Sequence, residues 1–168
     1  WLRHFRDART DEERRFARTL ALDWIGREGR FNRSTWTLSL TARRVLNWLR
    51  HYNILMEGAS IEDAQQIARS LSTQISSLKL RAPLATDPVD ALLVALALCG
   101  VALCADRPDA EVIGRIRRAE RLIEQQIDED GLHRSRSAKV QIQILVELIT
   151  IRQALRRDYE QYATEFNE

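Results

Sequence analysis

Apolar residues recur every three or four positions along most of the chain, which is the period of an amphipathic α-helix. The clearest stripe contains Ile67, Leu71, Ile75 and Leu78. Glycine and proline are scarce and fall between the periodic segments, where they mark turns. The pattern predicts six helices, which begin near Thr10, Leu40, Ser60, Val89, Asp109 and Ser137. The first five end near Gly26, Glu57, Pro83, Cys104 and Gly131.

The fourth predicted helix has no polar face, because the run from Ala91 to Ala105 is apolar almost throughout. This run is shorter than the ~18–20 residues of a membrane span, so we expect a buried core helix and no membrane span. The third and fifth helices each have a polar face. We therefore expect helices two, four and six in an inner layer and helices three and five outside it. The predicted fold is all-α: a single domain over residues 1–168, an arc of about six antiparallel helices that forms a solenoid or part of a toroid.

Composition narrows the choice of partners. The net charge is only +2, from 26 basic and 24 acidic residues that alternate along the helices, so bulk charge does not predict nucleic-acid binding. Cys99 and Cys104 are five positions apart and point away from each other on a helix, so we expect buried thiols and no metal site or cofactor. The first residue is not methionine, which suggests a processed or excised piece.

Basic residues and an aromatic side chain gather in the loops that lead into the inner helices. If the helices alternate in direction, these loops meet at one end, where helix N-termini attract anions. Such a rim could hold a ligand that bears carboxylate or sulfate groups. The alternative is that these are ordinary solvated loop arginines. These loops carry Arg27, Arg30, Arg33, Trp36, Arg81, His133, Arg134 and Arg136. Of these, Arg30, Trp36, His133, Arg134 and Arg136 are the rim residues that we select for binding.

Three stretches, in their order and spacing, resemble the N-terminal helical domain of the heparinase II/III-like family. The first runs from Trp36 through Ala42-Arg43-Arg44 to Asn47-Trp48, and the last runs from Gln126-Ile127 through Asp130-Gly131 and His133 to Arg136-Ser137. The apolar helix that leads to Gly100 lies between them. The likeness covers residues 30–155.

The resemblance implies an incomplete α/α toroid followed by a C-terminal β-sandwich, so that residues 1–168 would be the N-terminal part of a longer protein. It also implies polysaccharide lyase chemistry, in which an acidic, uronate-containing glycan is cleaved by β-elimination. The implied partners are that glycan and the β domain of the same protein. The compartment, bacterial periplasm or cytoplasm, stays open. With the rim, the candidate binding residues are Arg30, Trp36, Arg43, Arg44, His133, Arg134 and Arg136.

The sequence departs from the family pattern where the chemistry is located. Active members carry a Tyr-His pair where this chain has Val140 and Gln141. They also often carry an Asn-His pair entering the apolar inner helix, where this chain reads Asp87-Pro88-Val89-Asp90. We therefore assign no catalytic residue. Two hypotheses follow: a toroid domain that binds an acidic glycan, and a non-catalytic helical scaffold or protein-interaction module.

Overall fold

A computed structural model describes residues 2–5, 8, 10–105 and 107–158, with the side chains of residue 3 and residues 156–158 left aside. All regular structure in these ranges is helical, as predicted, apart from one isolated bridge between Ile127 and His133. Short 3₁₀ turns cover Leu2–Phe5 and Ala82–Leu84. The α-helices are α1 (Asp11–Glu28), α2 (Leu38–Arg50), α3 (Tyr52–Met56), α4 (Ile61–Arg81), α5 (Pro88–Cys104), α6 (Asp109–Glu124) and α7 (Ala138–Asp158).

Side-chain caps fix the starts of three helices where the sequence predicts them. Thr10 and Glu13 form a reciprocal capping box at α1: Glu13 N donates to Thr10 Oγ1 (3.2 Å) and Thr10 N donates to Glu13 Oε2 (3.0 Å). Ser60 caps α4 in the same sense, and Asp87 caps α5 ahead of Pro88 at the first helical position. These caps satisfy N–H groups that a helix start otherwise leaves unbonded.

The second predicted helix is divided at His51 into α2 and α3. The buried guanidinium of Arg18 on α1 lies against the end of α3. It donates to the carbonyl oxygens of Leu55 (2.9 Å) and Gly58 (3.1 Å), and also to that of Glu57. These are carbonyls that a helix end leaves unbonded, so the cation stabilises the short helix through hydrogen bonds and its dipole.

The fifth predicted helix is shorter than expected. It ends at Glu124 rather than Gly131, and the loop 125–137 follows it. Apolar periodicity alone did not show this end, because Ile127 continues the stripe of α6 while its backbone already belongs to the bridge with His133.

Helix α5 is the centre of the domain, as predicted: every residue from 92 to 100 is buried. It packs against α2, α6 and α7. A Cβ added at Gly100 would lie 3.1 Å from Leu46 Cδ2 on α2 and 3.3 Å from Ile151 Cδ1 on α7, so these helices approach closely here. The prediction that both thiols are buried is correct for Cys99 and wrong for Cys104, which lies in the last, exposed position of α5.

Helices α2, α5 and α7 begin at one end of the domain. Arg81, at the end of α4, donates to the carbonyl oxygen of Trp36 just before α2. Gln126, just after α6, donates to the carbonyl oxygen of Pro88 at the start of α5. Helices α4 and α6 also pack against α5. The arc of an incomplete toroid stays a prediction. In the part of the chain that the structure describes, no helix combines the length and apolarity of a membrane span.

Candidate functional site

Glu28, the last residue of α1, organises the loop that leads into α2. Its Oε2 accepts hydrogen bonds from Asn32 Nδ2 (2.8 Å) and Thr35 Oγ1 (2.9 Å). Its carbonyl oxygen accepts from Trp36 Nε1 (2.7 Å). Asn32 Oδ1 in turn accepts from the Thr35 N–H (3.0 Å), which is the turn geometry that asparagine favours. The loop is therefore held in one conformation, and Trp36 is drawn under it with 1% of its surface exposed.

Three indoles and a guanidinium pack together beneath this loop. The Arg44 guanidinium carbon lies 4.1 Å from the ring centroid of Trp24 and 5.4 Å from that of Trp36. Trp48 meets Trp24 edge to face, with centroids 5.7 Å apart. A cation on an aromatic face is attracted by the ring quadrupole, more strongly when water is excluded. The cluster thus positions Arg44 and stabilises its charge in part.

The hydrogen bonds of Arg44 are to neutral groups. Its Nε donates to Gln74 Oε1 (2.6 Å) and its Nη1 to the Thr35 carbonyl oxygen (3.0 Å). Its Nη2 is buried and has no hydrogen-bond partner among the described residues. Burial, followed by the charge of Arg81, lowers the pKa of Arg44 to about 10, against a smaller opposing effect of Glu28.

Arg81, whose charge acts on Arg44, is likewise held by a carbonyl oxygen and an aromatic ring. Its Nη1 donates to the carbonyl oxygen of Trp36 (2.7 Å), and its guanidinium carbon lies 5.1 Å from the ring centroid of Phe31. Burial lowers the pKa of Arg81 as well. Its Nη2 is also buried without a partner among the described residues. Two cations thus lie at one end of the domain. Arg44 donates hydrogen bonds to an amide and a carbonyl oxygen, and Arg81 donates to a carbonyl oxygen and to the Ser77 hydroxyl.

A cavity of about 310 Å³, which we name the Arg44 cavity, opens beside the first two turns of α2. It is partly open to solvent and bounded by indoles, a guanidinium and small polar groups. This combination suits a ligand with an apolar ring face and an anionic group. The lining residues are Leu2, Trp24, Thr35, Leu40, Arg44, Asn47 and Trp48.

The two arginines of the loop 125–137 are paired with aspartates of the same loop. Arg134 Nε lies 3.1 Å from Asp128 Oδ1, and Arg136 contacts Asp128 Oδ2 (2.9 Å) and Asp130. The hydrogen bond from Arg136, followed by one from the Leu132 N–H, lowers the pKa of Asp130. Arg136 has φ 53°, a left-handed conformation that these ion pairs help to hold. Each of these two arginines is paired with a carboxylate, whereas Arg44 and Arg81 hydrogen-bond to neutral groups.

His133 is buried, with 5% of its surface exposed. The Ser135 N–H points to its Nδ1 (3.1 Å), so Nδ1 accepts and the proton of the neutral ring is on Nε2, 3.2 Å from Gln126 Oε1. Gln126 Nε2 donates to the Pro88 carbonyl oxygen (2.7 Å). The histidine therefore connects its loop to the start of α5 through Gln126.

The remaining predicted residues lie apart from the Arg44 cavity. Arg43, next to Arg44 on α2, turns toward α7, where its Nε lies 3.7 Å from Oε1 of the buried Glu147. Arg30 is exposed in the loop after α1. Among the described residues, no three His, Cys, Asp or Glu side chains gather to hold a metal ion.

Comparison with family models, curated proteins and solved structures gives no match.

Of the predicted binding residues, the structure brings Arg44 and Trp36 together and gathers His133, Arg134 and Arg136 in a second group. Sequence reasoning did not select Trp24 or Gln74 as site residues, and it placed Arg81 in the loops of the rim without selecting it for binding. Trp24 belongs to the predicted apolar stripe of α1. No local pattern relates Gln74 or Arg81 to Arg44, since both lie thirty or more positions from it and their approach depends on how α2 packs against α4.

Proposed function

We propose that this domain binds an acidic, uronate-containing glycan, and that the Arg44 cavity receives a carboxylate-bearing sugar of that glycan. The longer protein to which we assign the domain would use this binding for β-elimination, as the heparinase II/III-like resemblance implies. The observation that carries the proposal is the adjacent pair Arg44 and Arg81, which bond to neutral groups.

Charge balance supports an anionic ligand. Burial lowers the pKa of both guanidinium groups, and the charge of Arg81 lowers that of Arg44 further, so an anion brought to them would favour their charged forms. Glu28, whose charge acts on Arg44, already accepts bonds from Asn32 and Thr35. A ligand carboxylate can accept from a guanidinium at two oxygens, which is the strongest arrangement of this kind.

The shape and lining of the cavity support a sugar ring. Trp24, which is half-buried, provides aromatic surface on which the apolar face of a pyranose can stack, and Trp48, 2% exposed, forms part of the cavity wall. The volume, about 310 Å³, lies at the lower end of the roughly 300–1,000 Å³ of ligand sites. One sugar residue suits this space better than a longer segment. Leu40, which is 46% exposed, would lie at the mouth of the cavity.

The alternative is a non-catalytic scaffold or protein-interaction module. One observation favours it over a lyase: Gln141, at a position where active family members carry a catalytic residue, braces the loop 125–137. Its Oε1 accepts from the His133 N–H (2.6 Å) and its Nε2 donates to the Gly131 carbonyl oxygen (3.0 Å). Glycan binding without catalysis by this chain is consistent with both hypotheses.

The proposal is tested by calorimetric titration of an oligogalacturonate at two salt concentrations. We expect Arg44→Gln to weaken binding about 10- to 100-fold, because a hydrogen bond to a charged group contributes about 1.5–3 kcal/mol. Leu40→Trp, which fills the mouth and leaves Arg44 intact, should also weaken it. The control is Arg134→Ala/Arg136→Ala, which removes cations already paired with aspartates. Equal binding by the wild type, Arg44→Gln and Leu40→Trp would contradict the proposal.

A further inference from the structure

We propose that the outer face of α7 docks an amphipathic helix of a protein partner, one with an aliphatic ridge and a carboxylate near each end of that ridge. We define the α7 outer face as Ile142, Leu145 and Ile149. The inference does not depend on glycan binding, because the Arg44 cavity has none of these residues in its lining.

The α7 outer face is exposed and apolar. Ile142, Leu145 and Ile149 are 61%, 44% and 49% exposed. They are spaced by three and four positions and so form one row along the helix. The exposed faces of the other long helices carry charge, for example Arg69 on α4 and Arg117 on α6. A neutral aliphatic row of this length is the surface that a partner helix covers in a helix-in-groove complex.

A groove extends the face at the start of α7. It has a volume of about 270 Å³, and its lining includes Leu132, Ala138 and Ile142. Leu132 is itself 46% exposed. The loop 125–137 that carries it is held by ion pairs and by Gln141, so this groove is preformed. The apolar surface thus continues past the first turn of α7, which suits an extended partner segment.

Charge indicates which partner fits. Between Lys139 and Arg152 the only charged residue of α7 is Glu147, which is 1% exposed and faces Arg43. The face is therefore neutral along its length and bordered by a cation at each end. The two cations are thirteen positions apart, about 20 Å along a helix. A partner ridge bordered by carboxylates at that separation would be complementary at both ends.

A second copy of this chain fits less well. An antiparallel pair centred between Leu145 and Val146 would set Lys139 of one copy beside Arg152 of the other, at both ends. A parallel pair would set each cation beside its own counterpart. Like charges held together at an interface weaken the complex. The face therefore favours a partner other than a second copy of this chain.

The test uses two synthetic helical peptides of about twenty residues that share one leucine ridge with spacing of three and four. One carries glutamate at both ends of the ridge and the other carries lysine. We expect the glutamate peptide to bind the intact chain about three- to tenfold more tightly, from one ion pair with the exposed Lys139 and one with the half-buried Arg152. Lys139→Glu should reduce that preference. Leu145→Glu should abolish binding of both peptides, whereas Gln66→Glu, which adds the same charge on exposed α4, should leave it unchanged.

Circular dichroism of each variant separates loss of binding from loss of fold. Both substituted residues, Leu145 and Lys139, are exposed. Equal affinity for the two peptides would overturn the proposed charge preference. Binding that persists in Leu145→Glu would overturn the location. Sedimentation that shows a wild-type dimer and a Leu145→Glu monomer would assign the face to a second copy and also overturn the proposal. None of these outcomes depends on oligogalacturonate binding.

Discussion

Arg44 and Arg81 are neighbours at the end of the domain where α4 ends and α2 begins. Burial and then the charge of Arg81 lower the pKa of Arg44 to about 10. Each guanidinium is held by carbonyl oxygens of the loop before α2, Thr35 for Arg44 and Trp36 for Arg81. The repulsion of two like charges in a partly dry site is poorly screened, and the charge of Glu28 offsets its effect on Arg44 only in part. This pair is the basis of the proposed carboxylate site.

The two cysteines should differ in reactivity. Burial, followed by the charge of Glu120, raises the pKa of Cys99 to about 12, so its thiol stays protonated at neutral pH. Cys104 is exposed. We expect one thiol per folded chain to react with a maleimide at pH 7.5 and two after denaturation. Cys104→Ser should remove the reaction of the folded chain and Cys99→Ser should keep it. Two equally fast reactions in the folded wild type would contradict the central position of α5.

The pKa of Asp130 should depend on one arginine and not on the other. In the folded chain Arg136 and the Leu132 N–H lower this pKa, so the ion pair contributes to stability above the ordinary value of 3.8 and is lost as the pH falls through the lowered value. Arg136→Ala should raise the pKa toward 3.8, as followed by carboxyl NMR titration. Arg134→Ala is the control, since Arg134 pairs with Asp128. An unchanged Asp130 pKa in Arg136→Ala would show that the pair is not formed in solution.

Gly100 tests the close approach of α5 to its neighbours. A side chain there would meet Leu46 on α2 and Ile151 on α7. We expect Gly100→Leu to reduce the free energy of unfolding by about 1–3 kcal/mol, the usual cost of overpacking. Gly114→Leu on α6, where a Cβ meets nothing within 4 Å, should instead raise it by up to about 1 kcal/mol, because leucine favours helix over glycine. Equal changes in the free energy of unfolding for the two variants, measured by urea denaturation, would contradict this packing.

Much of the fold was predictable because its signals are local. The capping pairs Thr10 with Glu13 and Asp87 with Asp90 lie three positions apart, and the apolar run of α5 required enclosure wherever its neighbours lay. The break at His51 was not predictable, because it accompanies contacts from Arg18, more than thirty positions away.

The candidate site was predictable only in part. Arg44 and Trp36 were selected from the resemblance, and the structure brings them together. Arg81 was placed in the loops of the rim but not selected for binding, since its relation to Arg44 and Trp36 depends on how α4 packs against α2. The loop arginines 134 and 136 were selected for their charge, but a sequence does not show that Asp128 and Asp130 turn back to pair with them.

The chain by itself should not cleave glycans. Val140 and Gln141 stand where active members of the resembled family have a Tyr-His pair, and Gln141 is bonded to the loop 125–137. A missing acid–base group typically reduces the rate about 10²–10⁴-fold. We expect no absorbance of unsaturated uronate after incubation with heparan sulfate, alginate or oligogalacturonate, with an active lyase as the positive control. Product formed by this chain, and absent with heat-denatured protein, would contradict this prediction.

The central claim, that the Arg44 cavity recognises a carboxylate, is tested most directly by a pair of ligands that differ in that group alone. An oligogalacturonate and the same oligosaccharide with its carboxyl groups reduced to alcohols keep ring shape and length. Calorimetry with the wild type should show at least tenfold weaker binding of the reduced form, a difference that shrinks in Arg44→Gln. Affinities that are equal for the two ligands, or a difference that is unchanged in Arg44→Gln, would contradict the account.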